Sequence, residues 1–138
     1  MIFGESLGGA VAISLWSDDQ RSLPQPRALI LSSTFASMPR TVQRSYPWFP
    51  FHHLVLDRWP SIDRIHRVTC PVTILHGSND EMVPVAEAKA LADAAGSLAA
   101  FKEISGAGHN DVPMSELRLL LKNDPESPES NSHRTAKP

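Results

Sequence analysis

Gly4-Glu5-Ser6-Leu7-Gly8 is a GxSxG pentapeptide set directly behind the apolar pair Ile2-Phe3. A serine between glycines at this point predicts a strand that turns abruptly into a helix, with the serine held in strained backbone and its Oγ standing clear above a sheet. Glycines at 4 and 8 are expected to relieve the collision that side chains there would make with the turn. The helix that follows offers free amides and a dipole that favour negative charge developing during acyl transfer. Only three residues precede Gly4. The feeding strand is therefore expected to be a stub, with the structure that normally precedes such an elbow absent.

The rest of the chain supplies the sheet this turn requires. Leu7, Val11, Ile13, Leu15 and Trp16, interleaved with Gly8, Gly9, Ala10 and Ala12, read as a buried helix over residues 7 to 17, ended by Asp18-Asp19-Gln20-Arg21. Pro24-Gln25-Pro26 marks a loop before Ala28-Leu29-Ile30-Leu31, an apolar run bounded like a fully buried parallel strand. Val72-Thr73-Ile74-Leu75 is a second such strand, closed by His76-Gly77. Between them, residues 36–68 read as an insertion of short helices over the edge or the C-terminal rim of the sheet.

Pro84 opens a helix carrying Val85, Ala88, Leu91, Ala92 and Ala95, with Gly96 as its stop. A short strand is expected over Ala99 to Ile104, and a last helix from about Pro113 with Leu117, Leu120 and Leu121 on one side. Residues 123–138 are almost free of apolar side chains and read as a disordered polar tail. This alternation predicts an α/β chain with a parallel sheet and helices on both faces, as one domain over residues 1–122. In such sheets functional loops lie at the C-terminal ends of strands. Ser6, Asp80 and His109 each follow one.

Those three residue types form a chemical set. A serine hydroxyl needs a base to take its proton, and an imidazole base needs a carboxylate to fix its tautomer and stabilise the imidazolium. Glu81 competes with Asp80 for the acid position. The plainer alternatives are a cap on the loop before the Pro84 helix for Asp80, a turn serine for Ser6, and a turn residue with a structural hydrogen bond for His109. A GxSxG arises by accident in a chain of this length roughly 5% of the time at average residue usage. The elbow gains weight from the apolar stub before it, the small-residue helix after it and the two strand-end partners in order.

Gly4-Glu5-Ser6-Leu7-Gly8-Gly9, Cys70-Pro71-Val72 leading to His76-Gly77, Asp80 with Val83-Pro84, and Gly106-Ala107-Gly108-His109-Asn110-Asp111 together resemble the α/β-hydrolase superfamily. The likeness is to the serine aminopeptidase and dipeptidyl-peptidase-like subgroup, over roughly residues 2 to 121. It also matches the superfamily's order of serine, acid and histidine. The resemblance implies the C-terminal half of that fold, with Ser6 as nucleophile, Asp80 as acid, His109 as base and the Leu7 amide as one oxyanion donor. It implies hydrolysis of an ester, thioester, amide or peptide without a cofactor, on a small-molecule, lipid or peptide acyl substrate. The insertion holding Tyr46, Trp48, Phe49, Phe51 and Trp59 would select among them. The second oxyanion donor belongs to the part that precedes the elbow, so the chain alone is expected to be impaired, to aggregate or to pair with itself through an open sheet edge. The competing expectation is a non-catalytic fragment or interaction module derived from a longer hydrolase.

Composition narrows the partners. With 13 basic and 15 acidic residues the formal charge is -2, which gives no footprint for nucleic acid or an anionic membrane. The one cysteine, Cys70, reads as a small buried hydrophobe at a strand entrance, and the cytoplasm is the default expectation for compartment. His52-His53 with Asp57 lacks a third metal ligand, so no metal is expected. His76 reads as a packing residue, and Arg40, Arg44, Arg58, Arg64 and Arg67 as charges solvating the insertion.

Overall fold

The computed structural model describes residues 1–18, 23–45, 47–48 and 58–122. Four strands form one sheet among them: β1 (Ile2–Glu5), β2 (Leu29–Ser32), β3 (Val72–Gly77) and β4 (Ala99–Ile104). They lie side by side in chain order and every pair is parallel. Helix α1 (Leu7–Trp16) links β1 to β2, and α3 (Val85–Ala95) links β3 to β4. Helix α2 (Met38–Ser45) lies in the long β2–β3 connection, and α4 (Met114–Lys122) follows β4.

Side-chain alternation sorts the core. Leu29, Leu31, Val72 and Ile74 point to one face, where they pack with Ala12 and Ile13 of α1 and Ala88 and Leu91 of α3. Ile13, Leu31, Ile74 and Leu91 are fully buried, each contributing about 1.5–3 kcal/mol of hydrophobic stabilisation. The in-between residues Thr73 and Leu75, with Ala100 and Lys102 of β4, face α4 on the other side around a cavity of about 340 Å³ that Leu119 and Leu120 help to line. Helices therefore flank both faces, as the alternation predicts.

The β2–β3 connection is less separate than an insertion over residues 36–68 suggests. Its last turn, a short 3₁₀ segment at Ile65–Arg67, drives Ile65 and then Val68 into the main core between α1 and α3. Arg40 and Arg64 are also not purely solvated charges. The Arg40 Nε lies 3.8 Å from the buried Glu87 carboxylate on α3, and Arg64 Nη1 donates to Ser14 Oγ on α1 at 2.7 Å. Tyr46, Phe49, Phe51, His52, His53, Asp57 and the tail 123–138 lie outside the described residues. Among the described residues no helix is long and apolar enough to cross a membrane.

Candidate active site

Ser6 sits between β1 and α1 with φ 48° and ψ -118°, a backbone conformation that non-glycine residues rarely adopt. The chain accepts it because its neighbours hold it: the Ser6 N–H donates to the Ser32 carbonyl, and its own carbonyl accepts from Gly9 N. Space is tight on one side of the turn only. A Cβ on Gly4 would lie 2.7 Å from Gly9 Cα, and one on Gly9 would lie 1.9 Å from Thr34 Oγ1. At Gly8 an added Cβ meets no described atom within 4 Å. The expectation that Gly8 relieves a collision is thus corrected: the close approach falls on Gly4 and Gly9, because position 9 is the one rotated onto the β2 loop.

His109 and Asp80 reach the same rim from β4 and β3. His109 Nδ1 lies 2.7 Å from Asp80 Oδ2, and His109 Nε2 lies 3.1 Å from Ser6 Oγ. A carboxylate only accepts, so Nδ1 carries the proton and the Nε2 lone pair faces the serine hydroxyl. Asp80 is buried and its other oxygen, Oδ1, accepts from Met82 N at 2.9 Å and Val83 N at 2.7 Å. One Asp80 oxygen thus holds the turn before the Pro84 helix and the other faces the His109 ring. Glu81, the competing carboxylate, is exposed.

Several residues that sequence reasoning passed over hold the histidine loop. Ser33, fully buried at the end of β2 with φ 49°, donates its hydroxyl to the His109 carbonyl at 2.7 Å. Gly106 N donates to Ser78 Oγ, and Asn79 N donates to the Ala107 carbonyl. Gly77 permits this approach, since a Cβ there would stand 2.2 Å from the Ala107 oxygen. Asp111 Oδ2 accepts from Gly108 N at 3.2 Å and stiffens the turn before His109. The signal available in sequence was the polar run Ser32-Ser33-Thr34 at the end of a strand too apolar to be at the surface; all three residues are buried. Leu7, the first residue of α1, carries an amide with no acceptor inside its helix.

Serine, carboxylate and imidazole thus meet at one rim of a parallel sheet, and the serine hydrolase (FSH1) family matches residues 1–116. The chain belongs to the FSH1 serine hydrolase family. Among its relatives is the uncharacterized protein Rv2307c of Mycobacterium tuberculosis, 40% identical over 119 residues, which cover 86% of this chain and 41% of that protein. The chain thus spans less than half the length of that relative. Its fold matches the esterase domain of a Rhodothermus marinus protein with a TM-score of 0.63 at 18% identity, over 86% of this chain and 55% of that one. It also matches a Mycobacterium tuberculosis puromycin-hydrolyzing peptidase with a TM-score of 0.64 at 18% identity, over 87% of this chain and 20% of that one. The sheet and its helices form part of an α/β-hydrolase fold. Among the described residues of this FSH1-family chain no group of three metal-ligating side chains is found.

Proposed function

We propose that this serine hydrolase cleaves a carboxylic ester, thioester or amide bond through an acyl-enzyme built on Ser6. The observation that carries the reading is the continuous path from Ser6 Oγ through the His109 ring to Asp80 Oδ2, at 3.1 Å and 2.7 Å. His109 Nε2 takes the hydroxyl proton as Oγ bonds to the substrate carbonyl carbon, and the resulting oxyanion accepts from the Leu7 N–H at the start of α1. Collapse of the tetrahedral carbon expels the leaving group, which takes the proton from Nε2. Water then attacks the acyl carbon, gives its proton to Nε2, and the acid departs as Ser6 recovers a proton from His109. Asp80 stays ionised throughout and holds the imidazolium.

The similarity to an esterase domain and to a peptidase supports the breadth of the substrate class and does not narrow it. A fluorophosphonate probe tests the reading: labelling of the 138-residue chain that disappears in Ser6→Ala supports it, and equal labelling of Ser6→Ala excludes it. A second reading, an interaction module without turnover, draws on a different observation. β1 pairs only with β2 among the described strands, and Phe3 and Leu7 beside it are 45% and 46% exposed. In that reading the apolar edge pairs with a second copy, and sedimentation finds a dimer that lacks esterase turnover.

A further inference from the structure

Asp80 has a second histidine beside it that the chemistry above does not use. His76, in β3, is wholly buried, and its Nε2 lies 2.8 Å from the Val83 carbonyl oxygen and 3.3 Å from Asp80 Oδ2. Both oxygens only accept hydrogen bonds, so a bare lone pair on Nε2 would face two negative atoms. Nε2 therefore carries a proton, directed at Val83. Nδ1 is buried and has no hydrogen-bond partner among the described residues.

Val83 closes the arrangement from both sides. Its N–H donates to Asp80 Oδ1 and its carbonyl accepts from His76. The carboxylate consequently stands between two backbone amides on Oδ1 and two imidazoles on Oδ2, those of His109 and His76.

We propose that His76 is a positioning residue for the Ser6, His109, Asp80 set, its Nε2–H holding the Val83 carbonyl and, through the Val83 N–H, the Asp80 carboxylate that orients His109. The proposal rests on the acyl-enzyme reading above. A carboxylate is free to turn about its Cβ–Cγ bond unless both oxygens are held. The Met82 and Val83 amides hold Oδ1, the His109 Nδ1–H holds Oδ2, and the His76 N–H pins the Val83 carbonyl while its positive end lies 3.3 Å from Oδ2. When His109 becomes an imidazolium, Oδ2 then already faces Nδ1, and no reorientation is required at that moment. Burial removes His76 from substrate, so its influence passes through Asp80.

Two substitutions separate this role from simple packing. His76→Gln places an amide N–H where Nε2 stands, whereas His76→Asn places it where Nδ1 stands, out of reach of Val83 and Asp80. Each buries one foreign amide, so the comparison between them isolates the donor position. The 138-residue chain is assayed on p-nitrophenyl acetate, and the far-downfield proton that His109 shares with Asp80 is followed by NMR. His76→Gln is expected to keep kcat within about threefold and to keep that resonance; His76→Asn is expected to lower kcat on the order of tenfold at unchanged KM and to shift or broaden it. Equal behaviour of the two variants in kcat and in the resonance overturns the proposal, as does absence of the resonance from the parent chain. A parent that shows the resonance, loses it in His76→Asn alone and yet turns over no ester would keep the positioning role and remove the hydrolase reading.

Discussion

The Ser33 hydroxyl donates a 2.7 Å hydrogen bond to the backbone carbonyl of His109, across 76 residues of sequence. It ties the end of β2 to the loop that carries the imidazole, so the distance from His109 Nε2 to Ser6 Oγ depends on a residue that contacts neither reacting atom. Ser33→Ala removes the tie and leaves a buried carbonyl without that partner. We expect a stability loss of about 1–2 kcal/mol by thermal or urea melting, and a fall in kcat of about tenfold with KM little changed. A variant with unaltered kcat would show that the loop is held well enough by Ser78 and Asn79.

The glycines of the elbow are expected to respond in opposite directions. Gly9→Ala drives a methyl into Thr34 Oγ1, 1.9 Å away, and should cost about 1–3 kcal/mol or prevent folding. Gly8→Ala meets open space in the first turn of α1 and should gain about 0.5–1 kcal/mol from reduced backbone entropy. Melting temperatures of the two variants, measured side by side, check the ordering.

Asp80→Asn divides the two duties of one side chain. The amide carbonyl can still accept from Met82 N and Val83 N, so the turn is kept, while the NH₂ set beside the His76 N–H should cost the fold about 1–3 kcal/mol. The NH₂ end placed against His109 Nδ1 forces the ring into the wrong tautomer, with its proton facing Ser6. Turnover should fall by about 10³-fold to 10⁴-fold, while Glu81→Gln changes it less than twofold. Esterase assays together with circular dichroism melts decide the matter.

Burial at the entrance to β3 raises the Cys70 thiol above the ordinary thiol range by penalising the thiolate, an effect only partly offset by backbone hydrogen bonds. In the folded chain the thiol keeps its proton at a pH where the unfolded chain has begun to lose it. Its contribution to stability is therefore present below the ordinary thiol range and is lost as pH rises from there toward the raised folded value. Iodoacetamide at pH 8 should leave Cys70 unmodified in the native chain and alkylate it in urea, as read by intact mass. Rapid native alkylation would mean that the β3 entrance opens readily.

Much of this was legible in the sequence because its carriers are local. The strand over Ala99–Ile104, the helix behind Pro84 and the elbow at Ser6 each announce themselves by apolar spacing or by glycine and proline at fixed offsets. The convergence of Ser6, Asp80 and His109 followed from strand ends in a parallel sheet, a topological argument that needs no distances. What stayed hidden depends on contacts between segments far apart in sequence. Ser33 and Gly9 matter through His109 and Thr34, and no window of neighbouring residues contains those pairs. His76 illustrates the limit: four residues before Asp80 at a strand end it reads as packing, and only the fold of the 80–83 turn brings its ring onto the carboxylate.

Because the strands lie side by side in chain order, the hydroxyl and the imidazole that approach to 3.1 Å belong to opposite borders of the sheet's sequence, 103 residues apart. Neither can be near the other until β2 and β3 have docked between them and the final strand has seated. On the acyl-enzyme proposal, reactivity of the Ser6 hydroxyl is accordingly a readout of finished assembly: a refolding experiment that follows probe labelling should see it appear in the slowest phase, after helix content and tryptophan fluorescence have already returned.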